Sequence, residues 1–343
     1  MRTSVGSAGL GRSGVESNGN VFVNARYPMA DGVTITPFQP NDLDGAVALL
    51  NREMTADPTT SANFQRRVLL DLNFNPQGAP VARDGDKVVG FMCGMVRKYM
   101  MEDQTPDTDR GYITLLAVDR DYQRQGIGTK LWEQVKDYFK SKDVKVALVG
   151  TFAPNYFVPG VDQVAYAGAI EFLKKQGFTA PVTVLSMDSC LVDLKTPDWI
   201  VTKEAQLTAE GIVFDSFKPE YTLPLLDHLR ECFPGDWQRY IRESMARKTM
   251  GHFERGEIYV AMYKGKCLGF CQHEHERFGP FGVDEKERGR GIGAALLLRC
   301  LRGMKQLAIH NAWFMSTTDD AAKVYVQGGF KETRRHAVMK LVL

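Results

Sequence analysis

The sequence is poor in the features that announce the commonest specialised classes. Its six cysteines, Cys93, Cys190, Cys232, Cys267, Cys271 and Cys300, include no C-x-x-C pair. That absence removes the zinc-ribbon and thioredoxin-like spacings and leaves reduced thiols in a cytoplasmic protein, with no metal, as the expectation. No apolar run approaches the ~18 residues of a membrane helix, so no membrane contact is expected. Charge of one sign is not in excess: 43 basic and 41 acidic residues leave a net +2, unlike a dedicated nucleic-acid binder. A Walker loop is excluded because no G-K-[ST] follows the glycines. The opening thirty residues are rich in Gly, Ser and Asn and lack the apolar core of a signal peptide. Residues 1–31 are therefore read as a disordered tail outside the fold.

What is present is a repeat. The chain has 343 residues, a length that fits two domains. Gly32, Phe38 and Pro40 align with Gly211, Phe217 and Pro219, and Gly90-Phe91 aligns with Gly269-Phe270 at the same separation. Gly126 then aligns with Gly291, and Gly177 with Gly329, at successively smaller separations. The first copy therefore carries two insertions, placed in "RKYMMEDQTPDTDRG" and "APNYFVPGVDQVAYAG". Each copy reads as a short strand, a helix, alternating strands about a tight turn ("DGD", "KGK"), a strand ending at Val118 or Val283, a glycine segment opening a helix, then strand, helix and strand. The expected class is α+β: two domains, each a mixed, mostly antiparallel sheet flanked by helices. Their expected bounds are 32–195 and 211–343, with a linker over 196–210.

The glycine segments carry the chemistry. Arg288-Gly289-Arg290-Gly291-Ile292-Gly293 follows a strand and opens a helix, and Gln123-Arg124-Gln125-Gly126-Ile127-Gly128 does the same in the first copy. The first N–H groups of a helix have no partner and carry partial positive charge. Small residues let an anion reach them, and the arginines add cationic charge. Although "GRGIGA" satisfies a dinucleotide fingerprint, Gln125 replaces the first glycine in the first copy, and the order of elements lacks strand–helix–strand alternation.

Both segments match [QR]-x-x-G-x-[GA], and on them nearly the whole chain from Gly32 resembles the GCN5-related N-acetyltransferase superfamily. The second copy, with "RFGPFGV", "RGRGIG", "AWFMSTTDD" and "VYVQGGF", is similar to the C-terminal half of bacterial tandem acetyltransferases. The resemblance implies that the glycine segment holds the diphosphate of acetyl-CoA. It also implies that backbone groups of Leu116–Val118, and of Phe281, Gly282 and Val283, pair with the pantetheine arm and the acetyl carbonyl. In the family a tyrosine four residues before the Gly of a Gly-Phe pair acts as the acid. That position is Tyr325 in the second copy and Leu173 in the first, which implies that the second copy is catalytic and the first degenerate.

The base is left open between Glu276 and His275, in "CQHEHERFG"; on a strand, His273 and His275 would share one face and Glu274 and Glu276 the other. Trp313, Thr317, Asp319 and Asp320 are candidates to line the acceptor cleft, the aspartates also being candidate helix caps. Tyr156 and Asp162, in the second insertion, are candidates for substrate contact. The expected activity is transfer of an acetyl group to a primary amine of a small molecule: an amino sugar, an aminoglycoside-like compound or an amino-acid derivative. The alternative is a non-catalytic acyl-CoA-binding or sensor protein. No nucleic-acid partner is expected, and the chain is read as a monomer or homodimer.

Overall fold

The computed structural model describes residues 32–99, 104 and 107–343. The tail read over 1–31, and part of the first insertion, lie outside the described residues. The first copy runs β1 (Val33–Pro37), α1 (Leu43–Glu53), α2 (Ser61–Phe64), β2 (Pro80–Asp84), β3 (Lys87–Val96), β4 (Arg110–Val118), α3 (Ile127–Lys140), β5 (Val146–Val149), β6 (Val161–Asp162), α4 (Ala167–Lys175) and β7 (Thr179–Cys190). The second runs α5 (Asp198–Ala209), β8 (Val213–Ser216), α6 (Thr222–Cys232), α7 (Asp236–Thr249), β9 (Gly256–Tyr263), β10 (Lys266–Glu274), β11 (Arg277–Val283), α8 (Ile292–Gln306), β12 (Asn311–Thr317), α9 (Asp319–Val326) and β13 (Lys331–Val342).

Local chemistry accounts for the elements. "KVVGFMCGMV" forms β3 as a nearly continuous apolar run, and it lies between β2 and β4 with α1 on one face and α3 on the other. Burial on both faces produces such a run rather than an alternation. The two hairpin turns use Gly85 at φ +55° and Lys264-Gly265 at φ +47° and +79°, the left-handed values that tight hairpins need. Helix α3 buries Ile127, Leu131, Trp132, Val135, Tyr138 and Phe139 along one stripe, and each side chain so buried contributes roughly 1.5–3 kcal/mol.

Among the described residues the two copies share one 13-stranded sheet: twelve strands run in the order β1-β2-β3-β4-β5-β13-β7-β12-β11-β10-β9-β8, and β6 pairs with β13 off that path. Each copy's last strand is exchanged. Strand β13 pairs with β5 from Met339↔Val149 to Val342↔Val146, and β7 pairs with β12 from Asn311↔Cys190 to Thr317↔Leu185. The exchanged strands pair with each other at the centre. The copies are therefore interlocked through their last strands. The segment read as a linker contains α5, whose Ile200 and Leu207 are buried in the second copy's core. The two insertions lie where expected, between β3 and β4 and between β5 and α4, where the second copy has only the turn His275-Glu276 and the single residue Thr318.

Candidate acyl-donor cleft

The glycine segments occupy equivalent places and have different surroundings. Gly126 is the N-cap of α3 at φ +85°, and Gly291 is the N-cap of α8 at φ +95°. A Cβ added at Gly126 would meet nothing within 4 Å, whereas one at Gly291 would lie 2.5 Å from Cγ of Lys203, on α5. Arg290 is ion-paired to Glu287, and to Glu210 at 2.8 Å; Arg288 pairs with Glu285 at 3.5 Å. Glu204, on α5, holds Arg299 at 2.6 Å and Arg302 at 2.9 Å, and Glu210 directly follows that helix. Helix α5 thus lies across the second copy's cradle, and the arginines expected to meet an anion there already meet carboxylates of the chain. In the first copy Gln123 and Gln125 donate to the carbonyls of Val118 and Asp121 at 3.0 and 3.3 Å. Arg124 is exposed at φ +63° and has no ion-pair partner among the described residues.

Beside the open cradle is a cavity of about 520 Å³. Strand β4 pairs with β5 only from Arg110↔Val146 to Ile113↔Val149, and the two then separate. The register of β4 against β3 shifts between Leu115 and Ile113, leaving Thr114 as a bulge; bulges bend a strand and interrupt its pairing. Beyond Ile113, β4 has a strand neighbour on one side alone. That free edge, Leu115 to Val118, forms one wall of the cavity, with the start of α3, Val158–Val161 and α4 completing it.

In the second copy the position equivalent to Leu173 is Tyr325, which sits among aromatic rings. Tyr325 packs against Phe314 at 4.5 Å between centroids, Phe281 at 5.7 Å, and Phe278 and Phe330 at 5.9 Å each. Burial raises its pKa, and the Thr317 side chain hydrogen-bonds to it. His275 and Glu276 are not on a strand: they are the exposed two-residue turn between β10 and β11, with His275 at φ +51°. The alternation that would have paired His275 with His273 on one face therefore does not operate. His273 is fully buried, and desolvation lowers its pKa to about 4. Glu274 is held by Arg247 at 2.5 Å and by Tyr240 at 3.3 Å. The cap of α9 is Thr318, which accepts from Ala321 N–H at 3.3 Å. Asp319 and Asp320 instead pair with Arg335 at 3.0 Å and Lys323 at 2.8 Å.

The structure adds residues that sequence reasoning missed. Tyr166 lines the first copy's cavity, and its hydroxyl donates to Asp57 at 2.7 Å. Burial, followed by that hydrogen bond, raises the Tyr166 pKa and keeps the phenol protonated. Asp57 is gripped by both Nη atoms of Arg334, at 2.6 and 2.8 Å. Nε of Arg334 donates to Asp162 at 2.5 Å, and Asp162 also accepts from the Val164 and Ala165 N–H groups at 2.8 Å. Burial would raise the Asp162 pKa, but these donors outweigh it and lower it. Arg334 comes from β13, so the second copy braces the first copy's cavity wall through the exchanged strand. It stands 277 residues from Asp57, a separation no local spacing rule reaches. Among the described residues no cluster of His, Cys, Asp and Glu could hold a metal, and no helix is long and apolar enough to cross a membrane.

Residues 47–178 match the acetyltransferase (GNAT) family, and residues 216–342 match the acetyltransferase (GNAT) domain. No curated protein matches the chain. Among solved structures, one similar chain is the GCN5-related glucosamine N-acetyltransferase region of a fungal multi-domain GH3 beta-N-acetylglucosaminidase, with a TM-score of 0.74 and 21% identity. That match covers 92% of this chain and 38% of the fungal one, so this chain spans well under half of that protein. A GCN5-related N-acetyltransferase from Sphaerobacter thermophilus has a TM-score of 0.68 at 15% identity, covering 92% of this chain and 97% of that one. A tandem GNAT protein from the clavulanic acid biosynthesis pathway has a TM-score of 0.57 at 16% identity, covering 90% and 98%.

Proposed function

The chain belongs to the acetyltransferase (GNAT) family and carries two of its domains, and on that premise we propose that it is an acetyl-CoA-dependent N-acetyltransferase whose donor site is the cleft of the first copy. One observation carries the reading: the cradle at Gly126 is open and adjoins the cavity along β4, while the cradle at Gly291 lies under Lys203. The cleft fits the donor's chemistry. Unpaired N–H groups at the start of α3, with Arg124 beside them, suit an anionic diphosphate. The free edge of β4 from Leu115 to Val118 offers backbone donors and acceptors to an extended amide-bearing arm. Acetyl-CoA supplies an acetyl group activated as a thioester. The chain's own residues bind and orient it, and Tyr166 holds a proton at its hydroxyl where Asp57 fixes it. The acceptor is a primary amine of a small molecule, such as an amino sugar, an aminoglycoside-like compound or an amino-acid derivative. The likeness to a fold that one fungal protein uses as a glucosamine N-acetyltransferase region is consistent with this class.

A second reading has its own observation. Leu173, buried, stands in the open copy where the family places its acidic tyrosine. A leucine donates no proton, which favours a non-catalytic acyl-CoA-binding protein. The test is acetyl-CoA binding by calorimetry, followed by thiol release over a panel of amines, on wild type and Tyr166→Phe. Binding with release from one amine class, and a changed pH profile in Tyr166→Phe, supports the enzyme. Binding without release from any amine favours the sensor. Absence of binding refutes both.

A further inference from the structure

The inner end of the first copy's cavity is closed by an insertion that the second copy lacks. Strands β4 and β5 pair as far as Ile113↔Val149, and Gly150 follows; these three residues and the bulged Thr114 line the cavity. The cradle adjoins the other end of the free edge of β4: a Cβ added at Gly128 would lie 3.8 Å from the Val118 side chain. An extended arm held by its diphosphate at Gly126 follows Leu115–Val118, about 13 Å of strand. Its thioester end then points at the β4–β5 junction. Val158, Gly160 and Val161, from the insertion between β5 and α4, complete the lining there. Only Thr318 stands between β12 and α9 in the second copy.

This wall is gripped on both sides of Val158. A Cβ added at Gly150 would lie 2.8 Å from the Gly160 nitrogen, and one at Gly160 would lie 2.7 Å from the Ala337 carbonyl oxygen. Backbone thus meets backbone from β5 through the insertion to the exchanged β13. Val161 pairs with Ala337 and Asp162 with His336, and the Gln163 N–H donates to the Arg335 carbonyl at 2.9 Å. Before Val158, Asn155 donates to Asp71 at 2.7 Å, and Arg67 donates to the Tyr156 carbonyl. The Phe157 ring is buried in the first copy's core and carries the Arg67 guanidinium at 5.5 Å. Val158 itself is buried. A wall held at Asn155–Phe157 and again at Gly160–Gln163 does not swing away from a longer ligand, and close-packed surroundings resist added volume.

We propose that Val158 sets the acyl length of the donor: the insertion closes the cleft just beyond the thioester, so the site takes acetyl and rejects longer chains. The inference deepens the reading of the first copy's cleft as the donor site and rests on it. Ile113, Val149, Val158 and Val161 surround the acyl end with aliphatic side chains, which suit a small uncharged group. A β-branched side chain has few rotamers in which to retreat, and Pro159 and Gly160 beside Val158 are buried. The limit is therefore the volume of one side chain. Val158 moves no proton; it determines which thioester fits.

The experiment is binding calorimetry with CoA, acetyl-CoA, propionyl-CoA and butyryl-CoA on wild type, Val158→Ala and Val158→Leu. Each affinity is taken relative to CoA on the same sample, so that a general loss of fold cancels. In wild type butyryl-CoA is expected to bind roughly 10-fold or more weakly than acetyl-CoA, the scale of forcing two methylenes against a packed wall, with propionyl-CoA between them. Val158→Ala removes two methyl groups from the wall and is expected to shrink that gap to about twofold. Val158→Leu is expected to weaken acetyl-CoA itself roughly fivefold relative to CoA, a ratio that a merely structural role would not move. Where Val158→Ala no longer binds CoA, Val158→Leu decides. The proposal is overturned if wild type binds acetyl-CoA and butyryl-CoA alike, if the gap is the same in Val158→Ala, or if both variants lose CoA, which does not reach the acyl end. Failure of wild type to bind CoA or any thioester would instead refute the donor cleft, so the two failures are distinguishable.

Discussion

Gly126 and Gly291 form a matched pair of perturbations. Each caps a helix in the left-handed region, at φ +85° and +95°, where an L-residue is disfavoured by roughly 1–2 kcal/mol. Alanine at either site should therefore destabilise the chain by about that amount, read as a shifted urea midpoint with an unchanged slope. Their effects on ligand should differ. The methyl of Gly126→Ala projects into open space at the N-cap of α3, where it is expected to hinder an anion's approach to the first N–H groups. Losing one charge-assisted hydrogen bond is worth about 1.5–3 kcal/mol, so acetyl-CoA should bind roughly 10- to 100-fold more weakly. The methyl of Gly291→Ala displaces only Lys203 and should leave the affinity within about twofold, a free-energy change near the thermal scale. Titration calorimetry on both variants decides it. An equal loss in both, or two donor molecules bound per chain, would refute the argument that α5 closes the second cradle.

Three other outcomes follow from the geometry. Tyr325→Phe keeps the ring among its four phenylalanine neighbours and removes one hydroxyl, so turnover should change by less than about twofold and stability by about 1 kcal/mol; a large drop in thiol release would return the transfer to the second copy. Arg334→Met leaves Asp57 and Asp162 without their shared cation. Removing one partner of a buried pair costs about 3–5 kcal/mol, and the partial exposure of Arg334 places the expected loss at or below that range, accompanied by slower turnover as Tyr166 loses its anchored acceptor; unchanged stability by denaturation would show that the exchanged strand does not depend on this contact. His228 and His273 are buried, and desolvation lowers both to about 4, below the unfolded value near 6.5. On acidification the unfolded chain therefore binds protons first, and stability should fall as pH drops from about 6.5 to 4, by up to about 3 kcal/mol per histidine. A flat dependence of unfolding free energy over that window would contradict it.

Much of the fold was legible because it is local. The repeat, the α+β order, the hairpin turns at Gly85 and Gly265, and the two helices opening at Gly126 and Gly291 all follow from spacing and backbone preference over short stretches. The insertions were legible as shrinking separations between aligned glycines. Where the strand exchange begins was not, because β7 and β13 carry similar patterns and either could in principle pair beside β5. The His275-Glu276 turn was misread for a related reason: "QHEHER" alternates as a strand does, and only the pairing of β10 with β11 shows that the chain reverses there.

The sequence pointed to Tyr325 because the second copy retains the family's tyrosine, whereas the geometry favours the first copy, and the two rest on different kinds of information. A motif reports which side chains a site contains. It does not report what packs over the site. The second copy's glycine segment is intact, yet Lys203 and Glu204 of α5 and Glu210 just after it reach that segment or its helix, from a stretch whose composition reads as a linker. The first copy lacks the tyrosine at Leu173 but places another phenol, Tyr166, against its cavity through Asp57 and Arg334. Arg334 belongs to the second copy's last strand, so the exchange that interlocks the copies also brings a second-copy residue to the first copy's cleft. On this view the second copy persists as a structural part of the first copy's site, supplying Arg334 behind the donor. Cutting the chain within α5 and discarding the second copy removes β13 from between β5 and β7, and Arg334 with it, so the separated first copy should lose both its cooperative unfolding and its donor binding.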